Sequence, residues 1–307
     1  MLYWICNFMK KAGDRQVRTL DLSISREMTG RRVLHLLRGE LGLSATLVKS
    51  LKWREGAILL NGAAVTVDVR VQEGDVLTVN VSDLPAAAVI DESVPLPQVL
   101  WEDEDLLIIN KPSGMAVHAA PLTGGDVTVE QTVARYLGGG QFHPVNRLDR
   151  GVSGVMVVAK SGYAHARAMA LLHTDAFRRE YRAICRGVPS PAVGEVTLPI
   201  GRDTTSAVKR KIDPTGQPSH TVYEVLSVHG GNALLRLRPL TGRTHQLRLH
   251  MAALGHPLLG DWLYGQEHPA LPHRVALHSY ELWLTHPITG EKLHITATLP
   301  QEMEQLL

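Results

Sequence analysis

The chain has 307 residues, 44% of them hydrophobic and 20% charged, a balance that excludes collagen-like and wholly disordered chains and a length that predicts two domains. No apolar run is long enough to cross a bilayer, and the two cysteines, Cys6 and Cys185, lie too far apart in sequence to form a metal knuckle or a disulfide framework, so the expected compartment is the reducing cytoplasm. The net charge of +2 hides segregation: residues 1–67 carry a net +6, 68–105 a net −9, 135–186 a net +6 and 202–250 a net +5, and the three basic blocks are candidates for a face that binds a polyanion.

Residues 1–29 are read as an N-terminal extension, expected to be disordered or to precede the true start, with Met28 a candidate first residue. The apolar opening has no positive n-region and no small-residue cleavage site, so it is not read as a signal peptide. Val33, Leu34, Leu36, Leu37 and Leu41 recur at helical spacing and stop at Gly42. Ser44 offers an N-cap to a second helix carrying Leu47, Val48 and Leu51, with Lys49, Lys52 and Arg54 as candidate RNA contacts on its polar side. Asn61-Gly62 supplies a tight hairpin turn, and Glu73-Gly74-Asp75 turns the chain again into Val76–Val79. Residues 30–81 thus form a small α+β unit. With Ser44, Lys52, Gly56, Leu60-Asn61-Gly62 and Gly74-Asp75 in place, it resembles an S4 domain, which implies RNA binding.

Residues 82–98, with three prolines and no period, read as a linker. From 99 to 307 the expectation is a mixed, mainly antiparallel α+β domain. Its expected strands are Leu106–Ile109, Val155–Ala159, Val222–Val228, Ala233–Arg238 and Lys292–Thr298, with helices at Thr128–Leu137, Ala164–His173 and His245–Ala253.

Four segments carry chemistry. Asn146-Arg147-Leu148-Asp149-Arg150-Gly151 sets one carboxylate between two arginines immediately before an apolar strand, and the flanking cations favour its ionised form. Asn110-Lys111-Pro112-Ser113-Gly114, running on to His118, is a rigid turn after a buried strand, where backbone can approach a ligand closely. Arg178-Arg179-Glu180-Tyr181-Arg182 flanks a ring with cations, as a stacked base and its phosphates require. Thr241-Gly242-Arg243-Thr244-His245-Gln246-Leu247-Arg248-Leu249-His250 opens a helix and leads to Gly255-His256-Pro257-Leu258-Leu259-Gly260-Asp261 and Tyr264-Gly265.

In this order and spacing the four segments resemble the motif set of the RluA family of RNA pseudouridine synthases, over about two thirds of the chain. The resemblance implies a pseudouridine synthase catalytic domain behind the S4-like unit, and isomerisation of uridine in RNA. It makes Asp149 the essential carboxylate, by attack on the nucleoside or by removal of a sugar proton. It also makes Arg147 the filler of the space left by the flipped base, Tyr181 the ring against that base, and Arg243 the partner of the aspartate. Lys111, His118, Arg150, Arg179, His245 and Arg248 are further RNA-binding candidates. The sequence departs from the pattern at Asn146, usually His, at Gly151, usually acidic or polar, and at Arg179, usually Lys.

The chemistry of the residues agrees with an isomerase. Extruding a base needs a filler and a pocket, for which a long cation and a tyrosine are suited. Glycosidic hydrolysis usually needs two carboxylates, whereas the motifs supply only Asp149, and an isomerase keeps its leaving group. No HExxH, GxxxxGK[ST] or strand-linked GxGxxG is present, so no metal, nucleotide or redox cofactor is expected. The partner expected is RNA, first large-subunit ribosomal RNA and then tRNA, acted on by a monomer. The competing readings are a catalytically silent RNA-binding or ribosome-assembly protein and a base-flipping glycosylase.

Overall fold

A computed structural model describes residues 18–83, 91–119 and 125–307. Residues 1–17 of the expected extension and 84–90 of the expected linker lie outside the described residues. The N-terminal unit comprises β1 (Thr19–Ser23), a short 3₁₀ turn, α1 (Val33–Arg38), α2 (Ala45–Lys52), β2 (Ile58–Leu60), β3 (Ala63–Ala64) and β4 (Val76–Asn80). Its antiparallel sheet has the order β1-β4-β2-β3. Residues 18–28 therefore differ from the expectation of an unstructured extension. β1 alternates along its length and pairs with β4, burying Leu20 and Leu22 beside Leu36, Leu37, Leu51 and Leu77. The Ser44 hydroxyl caps α2 by accepting the Leu47 N–H at 3.1 Å, and Asn61 and Gly62 both take positive φ in the hairpin turn, as the left-handed turn type demands.

The larger domain runs through β5 (Gln98–Glu102), β6 (Leu106–Lys111), α3 (Val129–Tyr136), β7 (His143–Pro144), β8 (Ser153–Ala159), α4 (Gly162–Leu171), β9 (Phe177–Arg186), β10 (Val193–Val196), β11 (Ile200–Arg202), β12 (Arg210–Ile212), β13 (Thr221–His229), β14 (Asn232–Pro239), α5 (Gln246–Ala253), β15 (Leu277–Thr285), β16 (Lys292–Thr296) and α6 (Gln301–Glu304). Its main sheet has the order β10-β13-β14-β9-β15-β8-β6-β5, with β16 beside β15 and β7 beside β8. All its named pairings are antiparallel except β8 with β15. Strand β8 is buried at every position because both faces of the sheet are covered, which is why it reads as a continuous apolar run. Met156 and Val158 pack with Val129 and Val133 of α3 and Leu247 and Met251 of α5. Val155, Val157 and Ala159 pack on the other face with Ala164 and Ala168 of α4.

The two units touch. Arg18 pairs with Asp105 at 3.1 Å. Asp83 pairs with His143 at 2.6 Å and accepts the Gly162 N–H at the start of α4 at 3.0 Å. The ring of Tyr163, from α4, is buried in the apolar core of the N-terminal unit.

Candidate active site

The loop that carries Asp149 is held by the 111–114 turn. Lys111 is fully buried at the end of β6, and its ammonium donates to the carbonyls of Pro112 and Val152 at 2.8 Å each and of Arg150 at 3.4 Å. The Ser113 hydroxyl donates to Gly151 O and the Gly114 N–H to Arg150 O. Gly114 has φ +82°, a conformation open to glycine at little cost. Burial pushes the Lys111 pKa down to about 7, against the nearby Asp149, which works the other way.

On the other side stands α5. Its N-terminal turn is tied by the buried Gln246, whose carbonyl accepts the Thr241 hydroxyl and the Arg243 N–H while its amide donates to His220 O and Thr221 Oγ1. Arg248 is buried, and its guanidinium forks onto Asp261, Nε to Oδ2 at 2.8 Å and Nη2 to Oδ1 at 2.7 Å. The remaining Nη1 reaches Asp149 Oδ2 at 3.1 Å. Burial works against the arginine's charge, but its hydrogen bonds to Asp261 and the attraction of Asp149 outweigh it and hold its pKa above the ordinary value. Asp149 Oδ1 has no partner among the described residues.

Asp149 lies in a cleft of about 670 Å³ lined by its own loop, Val117–Ala119, α4, β9 and the segment leading into α5, a volume within the usual range for small-molecule and cofactor sites. Five arginines (Arg147, Arg179, Arg210, Arg243 and Arg248) and a single carboxylate, Asp149, line it. Arg147 is exposed and has no hydrogen-bond or ion-pair partner among the described residues. The Nε of Arg179 is buried without a partner, which leaves a guanidinium available for an incoming acceptor. Tyr181 is buried in the cleft wall, 5% exposed. The arrangement can accept a polyanion, take a planar group against the tyrosine and offer one free carboxylate oxygen at its floor.

Comparison with known proteins decides the family. The family model described as RNA pseudouridylate synthase matches residues 105–253. A Bacillus subtilis protein named an uncharacterized RNA pseudouridine synthase, YjbO, is 37% identical over 274 residues, covering 88% of this chain and 96% of that one. The chain belongs to the RluA-type RNA pseudouridine synthases. It isomerises uridine in RNA. The Yersinia pestis ribosomal large subunit pseudouridine synthase D is 35% identical over 268 residues, covering 81% of this chain and 77% of that one. Among solved structures, human RNA pseudouridylate synthase domain containing 4 superposes with a TM-score of 0.55 at 29% identity, over 67% of this chain and 90% of that one. These similarities agree with the mixed, mainly antiparallel fold.

Within this synthase the structure redistributes several expected roles. The partner of Asp149 is Arg248; Arg243 lines the cleft and donates to Pro218 O at 3.1 Å. Lys111 is not at the RNA surface but buried under the Asp149 loop, because its carbonyl partners belong to that loop. Arg150 points away from Asp149, pairing with Asp126 at 2.6 Å and with Gly114 O. His118 lines the cleft beside Glu130, with its ring edge-on to Phe142. His245 faces Asp149. Lys49 and Lys52 are exposed on α2, whereas Arg54 is tied to Ser82 O at 2.5 Å.

Sequence reasoning missed Arg210, His173 and the cleft-facing side of α4 with His165 and Met169, and it quoted Asp261 within the motif without a role. Spacing alone gives no signal for them, since a strand, a loop and a helix distant in sequence converge there. The departures from the family pattern also have local causes. Asn146 Oδ1 accepts the buried Val157 N–H at 2.8 Å. A side chain at position 151 would come within 2.8 Å of the Trp262 ring.

Among the described residues one group, Asp103, Asp105 and His286, has metal-ligand composition. Arg18 pairs with Asp105. His286 Nδ1 accepts two backbone N–H groups, so its proton is on Nε2, which faces Asp103 at 3.0 Å. The group is held by the Arg18–Asp105 ion pair, with the His286 imidazole beside Asp103. No helix among the described residues is long and apolar enough to cross a membrane.

Proposed function

We propose that the synthase acts on large-subunit ribosomal RNA in the cytoplasm, with Asp149 as the essential carboxylate on a flipped-out uridine. In this reading Arg147 fills the vacated stack, Tyr181 backs the flipped base and the N-terminal S4-like unit adds an RNA grip through Lys49 and Lys52. The observation that carries the role of Asp149 is its asymmetry: Oδ2 is held by buried Arg248 while Oδ1 has no partner among the described residues, inside a cleft whose other charged side chains are all arginines. Such a cleft suits a phosphate backbone, and a flipped base needs a pocket beside the reactive group. The ribosomal target is supported by the Yersinia relative's name.

Replacing Asp149 with Asn is expected to abolish tritium release from RNA containing 5-tritiated uridine while RNA binding persists. An Asp149→Asn protein that converts RNA at the parent's rate would refute the assignment. Mapping pseudouridine in a deletion strain against its parent identifies the target, and a missing modification confined to tRNA would overturn the ribosomal reading.

A further inference from the structure

The residue that opens α5 is a histidine in the left-handed region, φ 58° and ψ 16°, with no side-chain cap to the helix. For a residue with a Cβ that conformation is costly and persists where its surroundings over-determine it. Those surroundings are specific. His245 Nδ1 lies 2.8 Å from Tyr264 Oη, with the two rings edge-to-face at 5.6 Å. The same phenol oxygen accepts the Arg210 N–H at 2.8 Å. With that acceptor position taken, the phenol hydrogen is assigned to Nδ1, which then carries no proton. The ring is neutral, because burial lowers its pKa, opposed by Asp149 and reinforced by Arg248, so its hydrogen sits on Nε2. That atom faces Asp149 Oδ2 at 3.8 Å, the oxygen already held by Arg248.

We propose that His245, fixed in one tautomer by Tyr264, is a positioning residue that closes its Nε2–H onto Asp149 Oδ2 when RNA enters the cleft, leaving Oδ1 as the oxygen that meets the nucleoside. The inference rests on Asp149 being the essential carboxylate. The separation of 3.8 Å exceeds a hydrogen bond, and catalytic hydrogen bonds are often long in the empty site and tighten with substrate. Two donors on one oxygen stop the carboxylate from rotating about its own axis, which a single guanidinium contact does not. Protonation of Nδ1 would remove the acceptor for the Tyr264 hydrogen. The charged and titratable groups facing the ring are Asp149, Arg248, Asp261, Tyr264 and Arg210, and among the described residues only Tyr264 hydrogen-bonds to Nδ1.

The test compares His245→Asn and Tyr264→Phe with the parent in single-turnover tritium release and in RNA binding. Asparagine tolerates the left-handed backbone, so His245→Asn removes the ring without adding strain, and Tyr264→Phe keeps the packing while removing the tautomer lock. Both variants are expected to lose about tenfold in rate at saturating RNA, the effect of one hydrogen bond to a charged group, with RNA affinity unchanged. The acid limb of the Tyr264→Phe rate profile should also move to higher pH, because a free Nδ1 takes a proton more readily. Parent-like rates in both variants, or a rate loss matched by an equal loss of RNA affinity, overturn the inference. Asp149→Asn in the same assay separates the two claims: inactive Asp149→Asn beside fully active His245→Asn and Tyr264→Phe sinks only the positioning role.

Discussion

At the level of single residues, the site turns on which cation meets which carboxylate. The resemblance made Arg243 the partner of Asp149 and Arg248 an RNA contact, whereas the fold sets Arg248 against the carboxylate. Arg248 lies inside α5 and is aimed by Asp261, a residue whose nearness to the helix no local pattern reveals. Asp149 was singled out by the family resemblance rather than by its loop alone, and the fold places it in the cleft against Arg248. Lys111 was legible as important but not in its role. It is a buried ammonium under the Asp149 loop, and its titration gives a stability prediction. Its pKa is about 7 in the folded protein against roughly 10.4 in an unfolded chain. The folded state thus releases this proton first as pH rises, and between those values the unfolded state binds more protons, so stability increases with pH. Below about pH 7 that gain is absent. Urea unfolding of the parent and of Lys111→Met across pH 7 to 9 should show the parent gaining stability relative to the variant; parallel curves would mean that the lysine does not titrate there.

At the level of secondary elements, the helices and the alternating strands were readable and two long strands were not. β9 was read as a cluster of cations around Tyr181. Its two-residue alternation was masked because Arg179, on the same face as Phe177 and Tyr181, lines a cleft instead of entering the core. β15 escaped notice because a bulge between Ser279 and Glu281 shifts its register against β9, which breaks the alternation on which strand recognition depends. β1 is five residues long and closes an edge of a small sheet, too short a stretch to stand out beside a featureless N-terminus. Helix α2 was read correctly down to its cap, and it carries the proposed second RNA contact. Lys49 and Lys52 are exposed, and the neighbouring Trp53 is 85% exposed. The double substitution Lys49→Ala/Lys52→Ala is expected to weaken RNA binding and to reduce the slope of log affinity against log salt by about 0.7–0.9 per lysine. An unchanged slope in a filter-binding titration would remove α2 from the interface.

At the level of the whole molecule, the expected linker conceals a fixed arrangement. Nothing in residues 82–98 suggests that Asp83 would bridge His143 and the start of α4, because the partners lie about 60 and 80 residues away. Tyr163 makes the same point from the other side, as a residue of the larger domain buried among the leucines of the smaller. Tyr163→Ala should therefore cost about 3 kcal/mol or more where the ring is removed, and it should do so selectively. Limited proteolysis is expected to cut the N-terminal unit faster in the variant while the larger domain stays resistant. Equal cleavage rates for parent and variant would argue that the ring does not secure the smaller unit.

Helix α4 faces two ways: Tyr163 plugs the smaller unit, and Met169 borders the cleft two turns further on. The molecule consequently behaves as a calliper with a set gap. With the smaller unit as the proposed RNA grip, a transcript has to present its docking feature and its target uridine at one matching separation, so lengthening the intervening stem by a few base pairs should spoil a substrate whose local sequence around the uridine is untouched.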